Sequence, residues 1–106
     1  MDKAAVVEII GKFHQGLLSR GIGPNKIVLF GSYATHSHSE DSDIDLAVIS
    51  DDFKKMNYWE RIDLLTEVIF EIFAPIEATA FTQEEWERGD SFVADYAKNG
   101  EIYFAA

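Results

Sequence analysis

Gly31-Ser32-Tyr33-Ala34-Thr35-His36-Ser37-His38-Ser39-Glu40-Asp41-Ser42-Asp43-Ile44-Asp45 lies between two short apolar runs, and its reading decides the fold. Lys26-Ile27-Val28-Leu29-Phe30 precedes it and Ile44 to Ile49 closes it, both rich in strand-forming residues. Successive side chains of a strand alternate faces at ~3.3 Å per residue, so Asp43 and Asp45 share one face, roughly 6–7 Å apart. Ile44, Leu46 and Val48 take the other face. Ala47 and Ile49 continue the aspartate face in apolar residues, which puts the acidic pair at one end of a strand otherwise buried on both sides. Aspartate is a poor strand former and paired anions repel. A hard divalent cation relieves that repulsion, and Mg²⁺ typically takes one or two carboxylates and fills its shell with water and substrate phosphates.

Gly31-Ser32 has two readings. One is a common turn after a strand. The other is a phosphate cradle: glycine lets a ligand approach the backbone, and a helix starting near Ser32 would aim free N–H groups and a positive dipole end at an anion. The spacing to Asp43 and Asp45 favours the second.

The 106 residues are 47% hydrophobic and 13% aromatic, which predicts one domain over 1–106 with a small core. No cysteine is present, so disulfides and thiolate metal sites are excluded. No signal pattern or long apolar span appears, which predicts a cytoplasmic protein with no membrane partner. A net charge of −10 argues against independent nucleic-acid binding, which needs clustered Lys and Arg, and suits a basic partner.

Along the chain, Asp2 caps a first helix ending near Gly21, with Val6, Ile9, Ile10, Phe13 and Leu17 at helical spacing. His14 within it is given no chemistry. The His36-x-His38 pair lacks the further ligands of a zinc site and reads as a solvated loop, or as weak support for a nucleotide. A second helix, about Tyr58 to Phe73, carries Trp59, Ile62, Leu65, Ile69, Ile72 and Phe73 as core residues along one side, with base stacking by Trp59 as the alternative. Pro75 stops it, and Ile76 to Phe81 is a third strand with Glu77 near its start, either an exposed acid or a site carboxylate. Thr82-Gln83-Glu84-Glu85 is a capping box, Gly89-Asp90-Ser91 breaks the helix it opens, and a further piece runs to Lys98. The tail from Glu101 either pairs as an edge strand or meets another chain, so oligomerisation is open. The fold class expected is α/β (α+β), a small mixed sheet of three or four strands with helices mainly on one side and the acids at one edge of the exposed face.

The motif, with Val-Leu-Phe before and Leu-Ala-Val after, resembles the nucleotidyltransferase superfamily of DNA polymerase beta type, and within it the minimal nucleotidyltransferases. Members of that group are similarly short and end in a helix, a Gly turn and a last strand, as Tyr96 to Phe104 does here. The resemblance implies that Gly31 and Ser32 bind nucleotide phosphates, and that Asp43, Asp45 and Glu77 form the catalytic and metal site for one or two Mg²⁺ ions. It implies transfer of a nucleoside monophosphate, AMP from ATP, to a hydroxyl acceptor. It further implies an antitoxin whose partner is a helical HEPN-type toxin, nucleotidylated on a tyrosine. Family members commonly have Asp where Glu77 stands, and often an Arg after the Gly-Ser turn where this chain has Thr35. Those departures favour the competing expectation, a module that neutralises its partner by binding alone. An aminoglycoside-modifying type ranks last, since no acceptor domain is present.

Overall fold

The structure, a computed structural model, describes residues 1–39, 41–89 and 91–105. Glu40 of the histidine loop, Asp90 of the expected helix break and Ala106 of the tail lie outside the described residues.

Helix α1 (Lys3–Ser19) starts where Asp2 accepts the Ala5 N–H at 2.9 Å, and its 3.6-residue period buries Val6, Ile10, Phe13 and Leu17. Strand β1 (Lys26–Phe30) leads into a single 3₁₀ turn (Gly31–Tyr33), and β2 (Ile44–Ile49) follows the histidine loop. Helix α2 (Tyr58–Ile72) opens on a capping box, Asn57 and Glu60 each bonding the other's backbone N–H at 2.8 Å. Strand β3 (Ile76–Phe81), α3 (Gln83–Arg88), α4 (Phe92–Ala97) and β4 (Glu101–Ala105) complete the chain. The box expected at Thr82 and Glu85 forms, and Gly89 in left-handed backbone closes α3.

The sheet has the order β3-β2-β1-β4. Strand β1 runs antiparallel to β2 and β4, while β2 and β3 are parallel, joined through α2. The tail is thus an edge strand of this chain's own sheet.

Three expectations are corrected here. The two long helices lie on one side of the sheet as expected, but α3 and α4 cover the other, so the second face is not an exposed one. Ile27, Leu29, Ile44, Leu46 and Val48 pack under α1 and α2, and Val28, Ala47, Ile49 and Phe81 pack under Trp86 of α3 and Ala94 and Ala97 of α4. The cause is visible in β1 and β2 themselves, whose runs are apolar on both faces and need two covers.

Trp59 and Phe73 are not core residues. Trp59 lies in the first turn of α2 about 180° around the helix from Val68, which meets the sheet, and is 69% exposed. Phe73 caps the helix at φ 58°, a left-handed turn that swings its ring outward to 90% exposure.

Candidate active site

Strand register gathers the motif. Phe30, the last residue of β1, faces Asp45 in β2, and Asp45 faces Glu77 in β3. Cross-strand partners share a face, so the three form a row across the sheet on the side covered by α3 and α4. Asp43 immediately precedes β2 and is exposed, Asp45 is half-buried and Glu77 is exposed. The row therefore lies at an open end of the sheet, with its deepest member in the middle.

Burial pushes the Asp45 carboxyl up to about 6, helped by a hydrogen bond to the Glu77 carboxyl and by the charges of Glu77 and Asp43. Desolvation and like charge both disfavour the anion. Three oxygen-donor side chains thus crowd where negative charge is already costly, and the donor set fits a hard cation such as Mg²⁺. Among the described residues no three His, Asp or Glu side chains close into a ready-made cage.

Gly31 at φ 74° turns the chain directly onto this row, with Asp45 Oδ2 in the space that a β-carbon at position 31 would need. The expected helix at Ser32 is a single 3₁₀ turn. Gly31 O accepts the N–H groups of Ala34 and Thr35 at 3.1 and 3.2 Å, and His36 at φ 60° then ends any helical course. Tyr33, drawn fully into the core, anchors the turn. One turn aligns too few peptide dipoles to act as a helix end, so the dipole argument for Ser32 does not hold. What the turn presents is its first amides, for which Phe30 at the cap position makes no side-chain hydrogen bond.

The loop is less solvated than its composition suggested. His38 stacks on Tyr33 with ring centroids 4.3 Å apart and 17° between planes. Both Tyr33 Oη and His38 Nδ1 are buried without a hydrogen-bond partner among the described residues. His36 is exposed, as expected of a loop residue. Sequence reasoning also missed Phe30, Phe92 and Tyr96: the Phe30 ring meets Tyr96 edge-on at 5.9 Å, beside Asp45. The aromatic residue ending an apolar run was the available signal.

Among the described residues no helix is long and apolar enough to cross a membrane.

Comparison with known proteins adds three findings. The model of a family described as "Nucleotidyltransferase domain" matches residues 10–100. A Methanocaldococcus jannaschii protein named "Putative protein adenylyltransferase" is 38% identical over 59 residues, 56% of this chain and 55% of its own, so the chain spans about half the length of the curated relative it matches. Two crystal structures share the fold. A "putative nucleotidyltransferase" from Sulfolobus solfataricus superposes with a TM-score of 0.73 at 16% identity, over 96% of this chain and 82% of its own. A toxin–antitoxin with AMP-PNP superposes with a TM-score of 0.61 at 23% identity, over 91% and 73%.

Proposed function

The chain belongs to the nucleotidyltransferase-domain family, and from that premise we propose that it transfers a nucleoside monophosphate, AMP from ATP, to a hydroxyl group on a protein. The observation that carries this reading is the row of Asp45 and Glu77 in adjacent strands, with Asp43 beside it and the Gly31 turn pressed against Asp45. Asp43 and Asp45, with Glu77 alongside, are the residues that would hold Mg²⁺, which when bound offsets the triphosphate charge and lowers the barrier to displacement at phosphorus.

The open backbone at Gly31 and Ser32 receives phosphate oxygens. The acceptor oxygen attacks the α-phosphorus, the bond to pyrophosphate breaks, and the hydroxyl proton passes to the Glu77 carboxylate. The strand positions are rigid, which favours in-line geometry.

The relative's name and the toxin–antitoxin neighbour support a protein acceptor within such a pair. The finer reading is an antitoxin that adenylylates a tyrosine of a helical HEPN-type toxin. A second reading, neutralisation by binding alone, is favoured by one observation: no Lys or Arg lies between Lys26 and Lys54, so the motif brings no cation of its own to a triphosphate.

Intact-mass analysis decides between them. The protein is mixed with ATP, Mg²⁺ and the product of its neighbouring reading frame. A partner mass gain of one AMP, abolished by Asp43→Asn, is expected. Neutralisation without mass gain would establish the second reading.

A further inference from the structure

Helix α4 buries Ala94 and Ala97 against the sheet, yet its outer surface carries two large rings in water: Phe92 is 86% and Tyr96 60% exposed. Four residues apart, they share one side of the helix and lie parallel, centroids 6.5 Å apart with 10° between planes. Leaving such rings in water forgoes the stabilisation that burial brings. Their position suggests a reason. Tyr96 touches Phe30 edge-on at 5.9 Å, and Phe30 is the strand partner of Asp45. A continuous path of rings therefore runs from the carboxylate row through Phe30 and Tyr96 to Phe92 at the surface.

The span fits a nucleotide. Adjacent strands lie about 4.8 Å apart, so Tyr96 is on the order of 10 Å from Asp45 through Phe30. A ribose and one phosphate bridge such a gap. We propose that Tyr96 and Phe92 form the shelf on which the base of the bound nucleotide stacks, while its phosphates lie at Gly31 and the carboxylates. This rests on the nucleotidyl-transfer reading above and assigns the base end of the same substrate. Aromatic faces accept any base, so the shelf confers affinity for nucleotides over bare polyphosphate and little choice among bases. Phe30, half-buried and fixed by its strand, positions Tyr96 and is not itself the shelf.

The test compares ATP, inorganic tripolyphosphate and adenosine, each with Mg²⁺, by calorimetric titration of wild type, Phe92→Leu, Tyr96→Ala and Tyr96→Phe. Phe92→Leu keeps apolar bulk at an exposed site and so keeps the fold. Losing a stacked ring weakens ATP and adenosine roughly tenfold. Tripolyphosphate affinity stays within twofold or so, and Tyr96→Phe behaves as wild type.

If ATP and tripolyphosphate weaken together, or neither changes, the shelf is overturned while the site reading stands. The same holds if nucleotide affinity is unchanged and only the KM for the acceptor protein rises, since the rings would then seat the acceptor. Wild type that binds adenosine but not ATP or tripolyphosphate would overturn nucleotidyl transfer and leave the shelf. Binding of none of the three would overturn both.

Discussion

Oδ2 of Asp45 occupies the space where the β-carbon of any residue other than glycine would stand at position 31. Gly31 is also at φ 74°, a backbone that costs other residues ~1–2 kcal/mol. Steric exclusion and backbone strain therefore act at one point, and both bear on the carboxylate at the centre of the row.

Gly31→Ala should displace Asp45 and lower transfer about 100-fold, the usual effect of an ångström-scale misplacement of a reacting group. The melting temperature should fall by only some degrees, since Gly31 lies at the end of β1 and adds no side chain to either core, while Tyr33 keeps the turn anchored. Single-turnover rates and a thermal melt check this. A variant that turned over like wild type would mean that Asp45 does not need its present position.

Asp45 has a stability signature with a definite sign. Its folded-state value of about 6 exceeds the ordinary carboxylate value, so between those two pH values the native protein holds the proton more firmly than the unfolded chain does. Stability consequently falls as pH rises through that window and stays lower above it. Asn cannot ionise. With EDTA present, Asp45→Asn should melt higher than wild type at pH 8, with the gap closing towards pH 4. Water screening at this half-buried site keeps the gain to a few degrees. A variant melting lower at pH 8 would indicate a favourable partner for the carboxylate that the row does not show.

Much of this site was legible because its determinants are local. The apolar runs on either side of the Gly31–Asp45 stretch specify β1 and β2, a two-residue spacing puts Asp43 and Asp45 on one face, and Glu77 falls two residues after a proline that opens β3. That Glu77 stands opposite Asp45 depends on the parallel register of β2 and β3, which family resemblance suggested and the sequence between them does not encode. The failures are tertiary. Trp59 has helical spacing with Ile62 but lies about 180° around the helix from buried Val68, and the aromatic path through Phe30, Tyr96 and Phe92 joins residues about sixty positions apart. His38 was hidden by its serine-rich neighbours, though its ring packs on buried Tyr33.

Arg61 ties three segments together at 15% side-chain exposure. It donates to Glu85 Oε1 at 2.7 Å, to Phe53 O at 2.8 Å and to Met56 O at 3.2 Å, joining α2 to α3 and to the 3₁₀ segment Asp51–Lys55 that follows β2, with its cap residue Met56. Burial pushes the Glu85 carboxyl up, but the Thr82 N–H and the Arg61 guanidinium outweigh it and hold the carboxyl below its usual value. Arg61→Ala leaves two carbonyls and a carboxylate short of donors, and should cost about 2–3 kcal/mol in urea unfolding. The Glu85 contribution is present above the ordinary carboxylate value and lost as pH falls through the lowered one. The variant should thus lose less on acidification than wild type, and parallel losses would contradict the pairing.

Gly100 tests whether the C-terminal strand belongs to the fold or to a partner. A β-carbon there would meet Val28 Cγ1 at 2.7 Å and Ala97 O at 3.1 Å, and would press on the Leu29 carbonyl as well. Backbone carbonyls of a paired strand cannot move aside as a flexible side chain does. Gly100→Ala should therefore open the pairing of β4 with β1 and destabilise the protein by about 1–3 kcal/mol, the usual cost of overpacking. Phe104 packs on the His14 ring at 4.3 Å, so the loss should extend to the seat of α1. Hydrogen exchange reads this directly: the amides of β1 that face β4 should exchange faster in the variant, while those of β3 keep wild-type protection. Unchanged protection along β1 would mean that the last strand pairs elsewhere, and Ile102, at 57% exposure, would then be free to meet another chain.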